Sequence, residues 1–180
     1  MNASGSNALT FLITTLVDLY VTAVLLRLLL QWVRADFYNP VCQFLVRITN
    51  PVLAPLRRVI PSIGRIDTAS IVLMLGLEVI ATWIVVQFGP VDFGVPQIVV
   101  YSVVKLLGTL LWTWFFLIIA MVILSWVGRG ARHPVIPLVY QLTEPLLRPV
   151  RRVIPPIAGI DLAPLFVLVA IRFLLILLGF

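Results

Sequence analysis

The sequence predicts an all-α integral membrane protein whose four transmembrane helices form two parallel two-helix repeats. Three observations carry that expectation: an excess of apolar residues, four long apolar runs, and a proline- and arginine-rich phrase that occurs twice. Of 180 residues, 62% are hydrophobic and 11% are charged. A soluble domain is closer to half apolar and about a quarter charged. The surplus apolar surface has no water-soluble arrangement.

The first run, about 9–33, follows MNASGSNALTF, which has neither a basic region nor a small-residue cleavage site. It therefore reads as a retained span and not as a signal peptide. The others cover about 68–88, 97–127 and 162–179, each near or above the roughly 20 residues that cross the hydrocarbon layer. In lipid every backbone group must be satisfied internally, so runs of this length and pattern are helices.

The connections fix an expected sidedness. Residues 34–67 hold Arg34, Arg47, Arg57, Arg58 and Arg65, and residues 128–161 hold Arg129, Arg132, Arg148, Arg151 and Arg152. The 89–96 connection carries Asp92 and no cation, and both ends of the chain lack Lys and Arg. By the positive-inside rule the long connections are cytoplasmic, and the termini and 89–96 are external.

The duplication is TNPVLAPLRRVIPSIGRID at 49–67 and TEPLLRPVRRVIPPIAGID at 143–161, identical at twelve of nineteen positions without a gap. Equivalent residues are 94 apart (143 − 49), so Trp32 matches Trp126 and Pro40 matches Pro134. The halves divide into 1–94 and 95–180 and share one orientation, as parallel repeats do. Val41, Phe44, Leu45 and Ile48, with Val135, Leu138, Val139 and Leu142, have the spacing of one helix face. Asn39 and His133 suit a cap before a first-turn proline. The segments 39–61 and 133–156 are thus expected to be short amphipathic helices in the membrane plane. Pro51, Pro55 and Pro61, with Pro145, Pro149, Pro155 and Pro156, are expected to break them into pieces.

Arg57, Arg58, Arg151 and Arg152, with Arg47 and Arg148, are the candidate lipid- or partner-binding residues. Guanidinium suits bidentate phosphate contact, and the neighbouring Val59, Ile60, Val153 and Ile154 can enter the acyl boundary. Enforcing topology, binding anionic lipid and binding a cytosolic protein all remain open for them. Nucleic acid is disfavoured as a direct partner, because basic residues beside a membrane meet lipid phosphate. Asp67 and Asp161 precede apolar runs and read as helix caps.

These doubled phrases, NPVLAPLRRVIPSIGRID and EPLLRPVRRVIPPIAGID, each before an apolar span, resemble the bacterial YggT family, which has plastid relatives. The resemblance extends over essentially the whole chain, with Trp32 and Trp126 in register. It implies a small protein of the bacterial inner membrane. Members are associated with tolerance of osmotic or ionic stress, and other relatives with cell division, nucleoid distribution or haem attachment to a cytochrome. The resemblance brings no catalytic residue set.

Five ionisable residues fall within the runs: Asp18, Arg27, Glu78, Lys105 and Arg172. Such residues face a bundle interior, a cavity or a partner. Glu78 plus 94 is Arg172, so the repeat arithmetic predicts a Glu78–Arg172 pair near mid-membrane, with Glu78–Arg27 as its rival. Arg27 and Lys105 are expected to snorkel towards the span ends. One cysteine, Cys42, and one histidine, His133, argue against a metal centre. Nucleotide loops, nucleophile–base groupings and paired carboxylates at catalytic spacing are missing, so neither an enzyme nor a cofactor is expected. The expected function is a membrane scaffold or assembly factor engaging anionic lipid and membrane or cytosolic proteins. The alternative is a small transporter or channel component for ion or osmotic homeostasis, for which four spans would need a homo-oligomer.

Overall fold

The computed structural model describes residues 3–64, 66–88, 93–127, 133–155 and 161–180, without the side chains of 3–7 and 127. Arg65, Asp92, Arg129, Arg132 and Pro156 lie outside the described residues. The described residues form six helices: α1 Ala3–Trp32, α2 Pro40–Val59, α3 Thr68–Phe88, α4 Val95–Val127, α5 Val135–Val153 and α6 Ala163–Leu177. Among them the extended backbone is limited to an isolated bridge between Ile63 and Ile66.

Among the described residues three helices are long and apolar enough to cross a membrane: Ala8–Trp32, Thr68–Phe88 and Val95–Trp126. Their outward faces are greasy, with Phe11 71%, Leu19 64% and Val100 63% exposed. Polar atoms instead gather inside, which is the arrangement that lipid favours. The run expected at 162–179 forms a helix of 15 residues, α6, about 22 Å at 1.5 Å per residue and shorter than a bilayer core.

Prolines do not break the doubled segments. Pro51 and Pro55 lie inside the continuous 20-residue α2, and Pro145 and Pro149 inside the 19-residue α5. Each proline deprives the carbonyl four residues back of its donor. On α2 those carbonyls belong to Arg47 and Pro51, and Arg47, Pro51 and Pro55 are all exposed. On α5 they belong to Gln141, which is exposed, and Pro145, which is half-buried. A four-residue spacing stacks the losses on one face of each helix, exposed in α2 and partly exposed in α5. The opposite faces carry Leu45, Thr49 and Leu53, and Val139, Thr143 and Leu147, all buried.

The chain forms two compact units, Met1–Leu28 with Leu45–Leu107, and Leu29–Phe44 with Gly108–Phe180. In the first, α3 buries one row, Ser70, Met74, Glu78 and Thr82, at the four-residue spacing of a single face. In the second, α5 packs on α6, and Ile118 and Met121 of α4 join Val139, Leu147, Val167 and Ile171 in its core. The turn after α6 is a Schellman motif: Gly179 N–H donates to Ile176 O and Phe180 N–H to Leu175 O. That geometry needs a left-handed residue, which Gly179 supplies at φ 92° without a Cβ penalty. Phe180 then lies against Gly108, where an added Cβ would sit 2.7 Å from Phe180 Cε2.

Candidate functional site

The doubled phrase builds the same contact in each unit. Within the first, Arg57 Nε donates to Asp67 Oδ2 at 3.1 Å, and a second guanidinium nitrogen binds the same oxygen. Within the second, Arg151 Nε donates to Asp161 Oδ2 at 2.8 Å. The ten-residue separation spans the end of one helix, the connection and the start of the next. The arginine side chain therefore ties α2 to α3 and α5 to α6.

The two contacts differ in depth. Asp67 is 1% exposed and also accepts from Ser70 Oγ at 2.5 Å, whereas Asp161 is 31% exposed. Burial pushes the Asp67 carboxyl up. Hydrogen bonds from Arg57 and Ser70, with the Arg57 charge, outweigh it and hold the group below its ordinary value. Burial likewise opposes the charge of Arg151, but Asp161 and Glu144, the latter 2.7 Å from Nη1, raise its pKa.

Both aspartates read as caps in the sequence, and their carboxylates act differently. Asp161 Oδ1 accepts from Ala163 N–H at 3.0 Å. Asp67 offers its backbone carbonyl to the Ser70 and Ile71 amides, while its carboxylate takes the Ser70 hydroxyl and Arg57.

Each arginine pair is thus divided. Arg57 and Arg151 turn inward, and Arg58 and Arg152 are exposed. Beside them Val59 and Val153 are 81% and 80% exposed. Arg47 and Arg148 are also exposed.

The intramembrane charges find partners that the repeat arithmetic misses. Glu78 does not take Arg172. Its Oε2 is 2.9 Å from Lys105 Nζ, which is also 2.6 Å from Asp18 Oδ1. Arg172 Nη1 donates to Phe180 O at 3.2 Å and its guanidinium lies 5.8 Å from the Trp112 ring centroid, a cation–π distance. The rival Glu78–Arg27 pair is also absent: Arg27 is 5% exposed and donates to Thr49 Oγ1 at 2.6 Å. Neither Arg27 nor Lys105 snorkels. Desolvated carboxylates attract Lys105 more strongly than a distant interface does, and a buried hydroxyl satisfies Arg27.

Thr49, Ser70, Thr82 and Ser102 were not singled out by sequence reasoning as partners. Thr49 was visible as the first residue of the doubled phrase, and the other three left no signal. Ser102 and Thr82 hydroxyls are 3.2 Å apart, one turn from Lys105 and Glu78. Among the described residues no group of three His, Cys, Asp or Glu side chains is placed to hold a metal ion.

The CCB3/YggT family model matches residues 6–88 and 100–180. An "Uncharacterized protein in proC 3'region" of Vibrio alginolyticus is 42% identical over 178 residues, 96% of this chain and 94% of that protein. "Uncharacterized protein YggT" of Escherichia coli strain K12 is 43% identical over 159 residues, 88% of this chain and 82% of that one. An "Uncharacterized protein" of Haemophilus influenzae is 34% identical over 162 residues, 90% of this chain and 86% of that one. No solved structure matches.

Proposed function

The chain belongs to the CCB3/YggT family, and on that premise we propose that it is a multi-pass scaffold or assembly factor of the bacterial inner membrane. In this reading α2 and α5 lie amphipathically at the cytoplasmic surface and gather anionic lipid, against which membrane or cytosolic proteins assemble. It performs no catalysis. Repeats 1–94 and 95–180 share one orientation, and α6, extended by the turn to Phe180, makes a fourth crossing where the bilayer thins locally. Trp32, 47% exposed, and Trp126, 80% exposed, suit the headgroup belt at the ends of their helices. A reporter fused at Phe180 that reads cytoplasmic overturns this orientation.

One observation carries the lipid assignment: the division of each arginine pair. If the pairs served only to brace the fold, both members would turn inward. Instead Arg58 and Arg152 stand free beside bare valines, a charge for phosphate next to a side chain for the acyl boundary. Each basic residue near an anionic surface contributes about 1 kcal/mol, so Arg58→Gln with Arg152→Gln lowers retention of phosphatidylglycerol or cardiolipin roughly 30-fold. Native mass spectrometry or lipid-overlay titration reads that loss, which shrinks at high salt. Retention unchanged in the double variant removes the lipid role. Ion flux from the purified chain in liposomes moves the transporter reading ahead of the scaffold.

A further inference from the structure

Each of the three bilayer-length helices contributes one charge to a single cluster. Asp18, Glu78 and Lys105 are each ten residues beyond the start of Ala8–Trp32, Thr68–Phe88 and Val95–Trp126 (18 − 8, 78 − 68, 105 − 95). All three lie in the first compact unit. One ammonium therefore serves two carboxylates. With every group ionised the cluster carries one surplus negative charge.

Glu78 bears that surplus. Its side chain is fully buried, and that of Asp18, though 44% exposed, lies on a helix with an apolar outward face, so the contacts with Lys105 and not exposure decide between them. Lys105 is nearer to Asp18 than to Glu78, 2.6 against 2.9 Å. The second carboxylate oxygen, Glu78 Oε1, is buried and has no hydrogen-bond partner. Among the described residues the other cations of this unit are engaged or turned away: Arg27 meets Thr49, Arg57 meets Asp67, and Arg47 and Arg58 are exposed. An orphaned anionic oxygen at hydrocarbon depth is costly, and a proton is the smallest ligand that neutralises it.

We propose that Asp18, Lys105 and Glu78 form an intramembrane proton-binding site in which Glu78 carries the exchangeable proton and Lys105 holds Asp18 ionised. Deprotonation of Glu78 draws Lys105 towards it and loosens Asp18, so proton exchange shifts a contact between α1 and α4. The site is independent of the arginine-rich surface, and either assignment can fail without the other.

The test uses the full chain in proteoliposomes and dicyclohexylcarbodiimide, an apolar reagent that adds to protonated carboxyl groups within membranes. The carboxyl oxygen bonds to the central carbon, its proton moves to nitrogen, and acyl migration leaves an N-acylurea that retains the whole reagent. Peptide mass spectrometry over a pH series locates the adduct. It is expected on Glu78 in the unsubstituted protein, falling as pH rises. Asp18→Asn removes the surplus charge and frees Lys105 for Glu78, so labelling at neutral pH drops roughly ten-fold. Lys105→Gln has the opposite sign and carries labelling to higher pH. The proposal is overturned by an adduct on Asp18 instead, by no adduct at any pH, or by unchanged labelling in Asp18→Asn. Protection of Glu78 by sodium or potassium at fixed pH also overturns it, because a metal cation would then be the ligand.

Discussion

Replacing Asp67 and Asp161 separately by asparagine should cost the protein unequal amounts, although the two residues are equivalent in sequence. Asp67 is 1% exposed and accepts from Arg57 and Ser70. A charge-assisted hydrogen bond contributes about 1.5–3 kcal/mol, and stranding a buried charge costs about 3–5 kcal/mol. Arg57 is 32% exposed, so water recovers part of its solvation, and Asp67→Asn should destabilise by about 2–3 kcal/mol. Asp161 is 31% exposed, and Arg151 keeps Glu144 when it is lost. A pair this solvated is worth at most about 1 kcal/mol. Unfolding in mixed micelles by graded addition of denaturing detergent measures both.

The sign with pH follows from the lowered pKa of Asp67. Its stabilisation is fully present above the ordinary carboxylate value and disappears as pH falls through the lowered one. The deficit of Asp67→Asn should therefore shrink in acid. Equal costs at the two positions, or a larger cost at Asp161, would refute the reasoning from burial.

Two further outcomes follow from the geometry. Gly108→Ala places a methyl 2.7 Å from Phe180 Cε2 and should destabilise by about 1–3 kcal/mol as an overpacked contact. The Gly108→Ala/Phe180→Ala double variant should lose no more than Phe180→Ala alone, as a thermal double-mutant cycle measures. Pro51→Ala should leave the helical circular dichroism of α2 intact and stabilise it by up to about 3 kcal/mol, because the helix already runs through Pro51. Loss of helix or of stability in that variant means that the proline shapes the segment.

Much of the architecture was legible because bilayer physics leaves few options. Apolar runs of sufficient length announced α1, α3 and α4. The offset of 94 residues matched Arg57 with Arg151 and Asp67 with Asp161, but the arginines were expected to meet lipid or a partner and the aspartates to cap helices, so neither Arg–Asp contact was read from the sequence. The continuity of α2 and α5 was misjudged by weighing each proline alone. Their four-residue spacing, which places the freed carbonyls of each helix on one face, was in the sequence all along. The Glu78 partner was not legible. Repeat arithmetic assumes that equivalent positions meet, but charges differ between the halves: Trp112, 94 beyond Asp18, faces Arg172, while Asp18 and Glu78 share Lys105. Side-chain reach and desolvation decide such pairs, and neither is visible in a linear count.

The central claim, that the C-terminal ends of α2 and α5 rest at headgroup depth, is tested most directly by spin-label depth measurement at Val59 and Val153. Cys42 is buried and free, and burial followed by the Asp36 charge raises its thiol pKa, so a Cys42→Ser background leaves each introduced cysteine alone to be labelled. Power saturation with oxygen and a nickel chelate reports immersion depth in vesicles containing phosphatidylglycerol. The account predicts that both labels sit at the boundary between headgroups and acyl chains. Labels at either position that behave as in bulk water, or as in the bilayer centre, would contradict it.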